Sequence, residues 1–139
     1  MLVNNNEIDK KTMIKNFLII SCTGKNDSIG LKIDNKFFTK KIQTNIRSYS
    51  LLVDNILIFL KKNKVRLDKN FSIIVNTGPG SFSALRVSIA VAKGIKIAVG
   101  LKLYGFINGN LGEFNLKNIE FLIKNNLIEN KLIKPHYLS

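Results

Sequence analysis

Between Phe71 and Gly100 the sequence runs from a strand through a sharp glycine turn into a long apolar helix, and that unbroken succession constrains the fold more than any other feature. Phe71-Ser-Ile-Ile-Val75 is a short apolar run rich in β-branched residues, the composition of a strand buried in a parallel sheet. Gly78, Pro79 and Gly80 stop both strand and helix, because Gly adopts backbone conformations closed to other residues and Pro lacks an amide donor. Ser81 is placed as an N-cap whose hydroxyl accepts from the first-turn amides. From Phe82 to Val99 the only charges are Arg86, Lys93 and Lys96, and Gly100 is positioned to end the helix.

The rest of the chain supplies further elements in quick succession. Phe17 to Cys22, Ser28 to Ile33 and Lys36 to Ile42 read as three strands of an antiparallel meander, with Asp34-Asn35 as the turn between the last two. Ser50 to Lys62 reads as a helix, capped by Ser50, with Leu52, Ile56, Phe59 and Leu60 on one face. A strand from Lys102 to Phe106 completes the order β-β-β-α-β-α-β: an α/β chain built on one mixed sheet. Asn108-Gly109-Asn110 and Gly112 read as a linker, Asn115 to Asn125 as a short helix, and the tail as a strand or a docked segment. The expected organisation is a mobile lead-in over residues 1–12, with Met13 an alternative start, a lobe over 13–106, and a linker and reduced C-terminal segment over 107–139.

Composition narrows the class. The 139 residues are 45% hydrophobic and 22% charged, enough for one core of ordinary size and not comfortably for two. A net charge of +13 suits a nucleic-acid binder. The excess is nearly all Lys, however, with Arg only at 47, 66 and 86, and it is dispersed among abundant Asn and Ile, as an AT-rich coding sequence would give. Lys10 to Cys22 imitates a lipoprotein signal, but its apolar stretch is too short, and no run is long enough to span a membrane. A cytoplasmic location is expected, and the single cysteine suits a reducing compartment.

Chemistry is hard to assemble from these residues. A glycine turn at a helix start can hold phosphate on free amides, and Gly78-Pro79-Gly80-Ser81 has that layout, yet no Walker lysine follows and Pro79 has no amide. A structural turn is the stronger reading. Asp27, Asp34, Asp54 and Asp68 read as turn and helix-surface residues. Cys22 reads as a small apolar residue at a strand end, and Arg86 as the one charge on an apolar segment that needs a specific explanation. No metal ligand set, cofactor site or catalytic constellation emerges.

The run Gly78-Pro79-Gly80-Ser81-Phe82-Ser83-Ala84-Leu85-Arg86, continued by Ser88 and Ala92-Lys93-Gly94, resembles the G-P-G-S-F-T-G-L-R signature of the TsaB (YeaZ) family. Ser83, Ala84 and Ser88 depart from it, each by a small residue. Phe17-Leu-Ile-Ile-Ser-Cys-Thr23 resembles the family's first strand and Asp-Thr-Ser turn, with Ser21 where the Asp belongs. Arg47-Ser48-Tyr49-Ser50-Leu51-Leu52 resembles its His-Ser-x-x-Leu-Leu helix start, and Pro135-His136-Tyr137-Leu138 its closing Pro-x-Tyr-Leu. The few residues between Phe106 and that closing motif read as an internal deletion in the second lobe.

The resemblance implies a ribonuclease-H-like lobe of the kind found in actin-like ATPases. It also implies a non-catalytic partner of the TsaD enzyme in making threonylcarbamoyladenosine in tRNA. A TsaE-like ATPase within the complex, a homodimer, indirect or weak tRNA contact, and no membrane association belong to the same expectation. Ser21 removes the acidic residue on which metal-bound nucleotide depends in that fold. The family's two first-lobe helices serve as its packing surface, which nominates Leu51, Leu52, Phe82, Leu85, Arg86, Ile89 and Lys93 for partner binding. The helix from Phe82 to Val99 is apolar around much of its circumference, so either a partner or the tail from Phe114 to Ile133 must cover its outer side. The alternatives are a small basic tRNA- or nucleic-acid-binding module on the same fold, and a degenerate paralogue.

Overall fold

The computed structural model describes residues 14–43 and 48–137. The expected lead-in, Met13, Arg47, Leu138 and Ser139 lie outside the described residues. Five strands form one sheet in the order β3-β2-β1-β4-β5: β1 is Phe17–Ser21, β2 Ser28–Ile33, β3 Lys36–Lys41, β4 Ser72–Asn76 and β5 Lys102–Phe106. The first three are the expected antiparallel meander, turning at Asp34 with φ 54°. β4 lies parallel to both β1 and β5, and every residue in it is buried. Helix α1 (Tyr49–Lys62) leads from the meander into β4, α2 (Phe82–Val99) crosses from β4 to β5, and α3 (Leu116–Lys124) follows a short 3-10 turn at Asn108–Asn110. This is the ribonuclease-H-like arrangement, with the order β-β-β-α-β-α-β that the sequence pattern predicts.

Strand alternation divides the interior into two cores. Leu18, Ile20, Ile29, Leu31, Ile73, Val75 and Leu103 face α1 and α2, and the α1 residues Leu52, Ile56, Phe59 and Leu60 close that side. Phe17, Ile19, Ile74, Tyr104 and Phe106 point the other way, against Ile119, Leu122 and Ile123 of α3 and Ile128 beyond it. α3 therefore does not fold back over α2, although Ile133 beyond it packs against the helix-side core. The apolar stripe of α3 has an unclaimed sheet face to cover, and the helix settles there.

The helix ends follow local chemistry. Ser81 caps α2 by accepting from the Ala84 amide at 3.3 Å, and Gly100, at φ 81°, ends it with its amide on the Lys96 carbonyl. For α1 the cap is Ser48 rather than Ser50, its hydroxyl accepting from Leu51 at 3.2 Å, so Ser50 falls in the first turn. Each such cap contributes about 1 kcal/mol. α2 is also less enclosed than its composition suggests: Leu85, Val87, Ile89 and Val91 are buried, whereas Phe82 is 58% exposed and Ile97 82%. The stripe narrows because Arg86, Lys93 and Lys96 share the outer side with small Ala90 and Gly94. No helix among the described residues is long and apolar enough to cross a membrane.

Candidate functional site

β1 and β4 run parallel and end side by side, and the chain's motif residues gather around those ends. Asn76, fully buried at the end of β4, organises them. Its side-chain amide donates to Ser21 Oγ at 3.1 Å and to Asn108 Oδ1 at 2.8 Å, while its Oδ1 accepts from the Gly78 amide at 2.9 Å. One side chain thus ties the first strand, the glycine turn and the linker after β5. Gly78 takes φ 103°, and a Cβ on Gly80 would stand 2.8 Å from the Thr23 carbonyl oxygen, so both glycines are required.

The amides of this turn are already engaged. Gly78 donates to Asn76, Pro79 has no N–H, Gly80 donates to the His136 carbonyl at 3.2 Å, and Ser81 donates to the Thr23 carbonyl at 2.9 Å. A phosphate cradle needs these donors pointing outward and free. Here they fasten the turn to β1's loop and to the C-terminal segment, which agrees with a structural turn. His136 in turn donates to the Thr77 carbonyl at 2.8 Å, and Tyr137 lies beside Gly80 with its ring 4.9 Å from that of Phe82. Pro135-His136-Tyr137, remote in sequence, therefore docks on the glycine turn. Ser88, one of the small departures, directs its buried hydroxyl at the Leu85 and Cys22 carbonyls and locks α2 against the end of β1.

Beside the turn opens a cleft of about 1110 Å³, with Ser21, Lys25, Asp27, Lys40, Lys41 and Glu113 among its walls. Asp27 departs from its expected place on an exposed turn. Only 5% of it is exposed; Gly24 donates to its Oδ1 at 2.9 Å, and its buried Oδ2 has no hydrogen-bond partner among the described residues. Burial pushes its pKa above the ordinary carboxylate value, opposed by the amides of Gly24, Thr23 and Lys25. Nothing in Lys25-Asn26-Asp27 distinguishes it in sequence from a surface turn. The same burial, aided by the Asp27 charge, pushes the Cys22 thiol far up, so its nucleophilic thiolate form is suppressed. Asp34, Asp54 and Asp68 are exposed as expected, and among the described residues no three His, Cys, Asp or Glu side chains group to hold a metal ion.

The nominated partner-binding residues separate into two sets. Leu52 and Leu85 have no exposed surface and Ile89 only 3%; they belong to the chain's own core and present nothing to a partner while the lobe is folded. Leu51, Phe82, Arg86 and Lys93 are at the surface. Arg86 needs no buried counterion, because its guanidinium lies over the Phe82 ring at 5.3 Å in the open. Leu57 and Ile58, 57% and 59% exposed on α1, and Ile97 on α2 extend the apolar outer surface beyond what the helix-start motif suggests.

Residues 47–108, from the approach to α1 through β5, match the family described as TsaD: tRNA N6-adenosine threonylcarbamoyltransferase. Over 91 residues, 64% of this chain, the sequence is 35% identical to the tRNA threonylcarbamoyladenosine biosynthesis protein TsaB of Buchnera aphidicola subsp. Baizongia pistaciae. Over that stretch the chain is similar to the TsaB family. It spans 40% of that TsaB's length. YeaZ from Pseudomonas aeruginosa superimposes with a TM-score of 0.60 at 18% identity, over 67% of this chain and 44% of YeaZ. A second solved structure, of an uncharacterised P. aeruginosa protein similar to peptidase YeaZ, gives the same TM-score and identity, with 43% of it covered. These two structures share the fold of this lobe.

Proposed function

We propose that this TsaB-like chain serves threonylcarbamoyladenosine modification of tRNA as a non-catalytic partner of a TsaD-like enzyme, docking through the outer faces of α1 and α2. The observation that carries this reading is the apolar outer surface of those helices: Leu51, Ile58, Phe82 and Ile97 are between 44% and 82% exposed. Covering each would contribute about 1–2 kcal/mol, a fraction of the value for full burial of such a side chain. The neighbouring turn supports a scaffold over a catalyst, since its amides are spent on the protein itself and β1 ends in Ser21 instead of an acidic residue. Chemistry on the adenosine then belongs to the partner.

Co-expression with the TsaD of the same genome, followed by sedimentation velocity, tests the reading. The wild-type pair should co-sediment, and Leu51→Glu or Phe82→Glu should weaken the pair by about tenfold or more without loss of fold, both residues being exposed. A pair that does not form, or that forms equally well with both variants, refutes docking through this face.

A further inference from the structure

A second surface lies at the other end of the lobe. α1 and α2 both run antiparallel to the strands that follow them, so their C-termini meet near the start of β4 and β5, away from the glycine turn. There they leave a groove of about 460 Å³ walled by Ile56, Leu57 and Leu60 of α1, Ile95 and Val99 of α2, and Val65 and Leu67 of the connection to β4. Its lining is almost wholly aliphatic, and among the described residues its charged walls are Lys61 and Arg66. The connection alternates basic and apolar residues: Lys62, Lys64, Arg66 and Lys69 stand exposed while Val65 and Leu67 pack half-buried against the core. Asp68 is the one acidic residue in this segment, and its Oδ1 is held by the Asn70 amide.

We infer that this groove receives an acidic amphipathic helix from another protein, with aliphatic side chains at helical spacing entering the groove and carboxylates meeting the Lys61 and Arg66 rim. Charge selects this occupant. A second copy of the chain carries a net charge of +13 and would set basic surface against a basic rim. A nucleic acid would be drawn to the lysines, but an aliphatic trough offers its bases neither an aromatic platform nor hydrogen-bonding groups. The carboxylates of an acidic helix would answer the rim, and its leucines would take the apolar area that water now covers. The groove shares Leu57 with the outer helix faces but none of Leu51, Ile58, Phe82 and Ile97, and the inference stands without a TsaD-like partner.

The test uses the full chain, isotope-labelled for NMR. The probes are a synthetic amphipathic helix with leucines at helical spacing and glutamates elsewhere, the same peptide with lysines for glutamates, and a single-stranded RNA oligonucleotide. The acidic peptide is expected to shift the resonances of Leu57, Val65, Ile95 and Val99, and Leu57→Glu and Arg66→Glu are each expected to weaken it by about tenfold. Both residues are exposed, so unchanged circular dichroism melting is the accompanying control. Four results would overturn the inference: no shifts in the groove, equal binding of the lysine peptide, displacement of the acidic peptide by the RNA, or self-association of the wild type that Leu57→Glu abolishes.

Discussion

Replacing Asn76 by Ala tests whether one buried amide holds the motif region together. The substitution removes the acceptor for the Gly78 amide and leaves that donor buried inside a turn. An unsatisfied buried donor costs about 1–3 kcal/mol. Its other two partners, Ser21 Oγ and Asn108 Oδ1, are half-buried and exposed, so water can replace the lost donor there, and each loss is worth about 0.5–1.5 kcal/mol at most. Removing a polar group that folding had to desolvate offsets part of this. The expected net is about 2–4 kcal/mol, a large share of the roughly 5–15 kcal/mol margin of a domain. Urea unfolding followed by circular dichroism measures it, and the Gly78 amide should lose hydrogen-exchange protection out of proportion to the global change. Ser21→Ala and Asn108→Ala should each cost about 1 kcal/mol or less, and neither should add fully to Asn76→Ala. If Asn76→Ala unfolds within about 0.5 kcal/mol of the wild type, the network is incidental and the turn is held by backbone pairing alone.

Leu85→Asp should unfold the lobe, because a carboxylate would replace a side chain with no exposed surface, whereas Leu51→Glu should melt close to the wild type; matched melts of both by circular dichroism would refute the division between core and surface. For Asp27 the folded-state pKa is raised by burial, so its protonated form favours folding below the ordinary value of 3.8, and that contribution is lost as pH rises through the folded pKa. Asp27→Asn, which keeps an acceptor for the Gly24 amide, should therefore gain on the wild type as pH rises from the acid range to neutral; unfolding curves across that range that stay parallel would exclude the charge as the cause. Calorimetric titration of the isolated chain with Mg-ATP should show no micromolar binding and no turnover, since the turn amides are engaged and Ser21 offers no carboxylate. Specific binding with hydrolysis would overturn the non-catalytic reading.

Local rules were enough for most elements. The β-branched run before the glycine turn, the Ser81 cap and the Gly100 stop each depend on backbone chemistry within a few residues, so they are legible without knowing what packs nearby. Helix α1 shows the limit: Ser48 and Ser50 are equally good caps on paper, and the hydroxyl that meets an amide is set by where the chain arrives from. The residues nominated for partner binding divide between core and surface by a similarly fine margin. Leu51 and Leu52 are adjacent leucines, yet one is 44% exposed and the other has no exposed surface, because a one-residue step turns a helical side chain through about 100°.

What the sequence determined alone was the order of elements and the glycine turn, since periodicity, caps and breakers act over short separations, while the ribonuclease-H-like plan followed from the family resemblance. Tertiary structure decided the rest. It put α3 on the far face of the sheet, because the alternate residues of β1, β4 and β5 left that face apolar and uncovered. It brought Pro135-His136-Tyr137 onto the turn at Gly80, and gathered Ser21, Asn76, Gly78 and Asn108 into one hydrogen-bonded unit. It also buried Asp27 beside a cleft. Each of these joins residues distant along the chain, and such contacts are fixed by which surfaces remain to be covered once the local elements have formed.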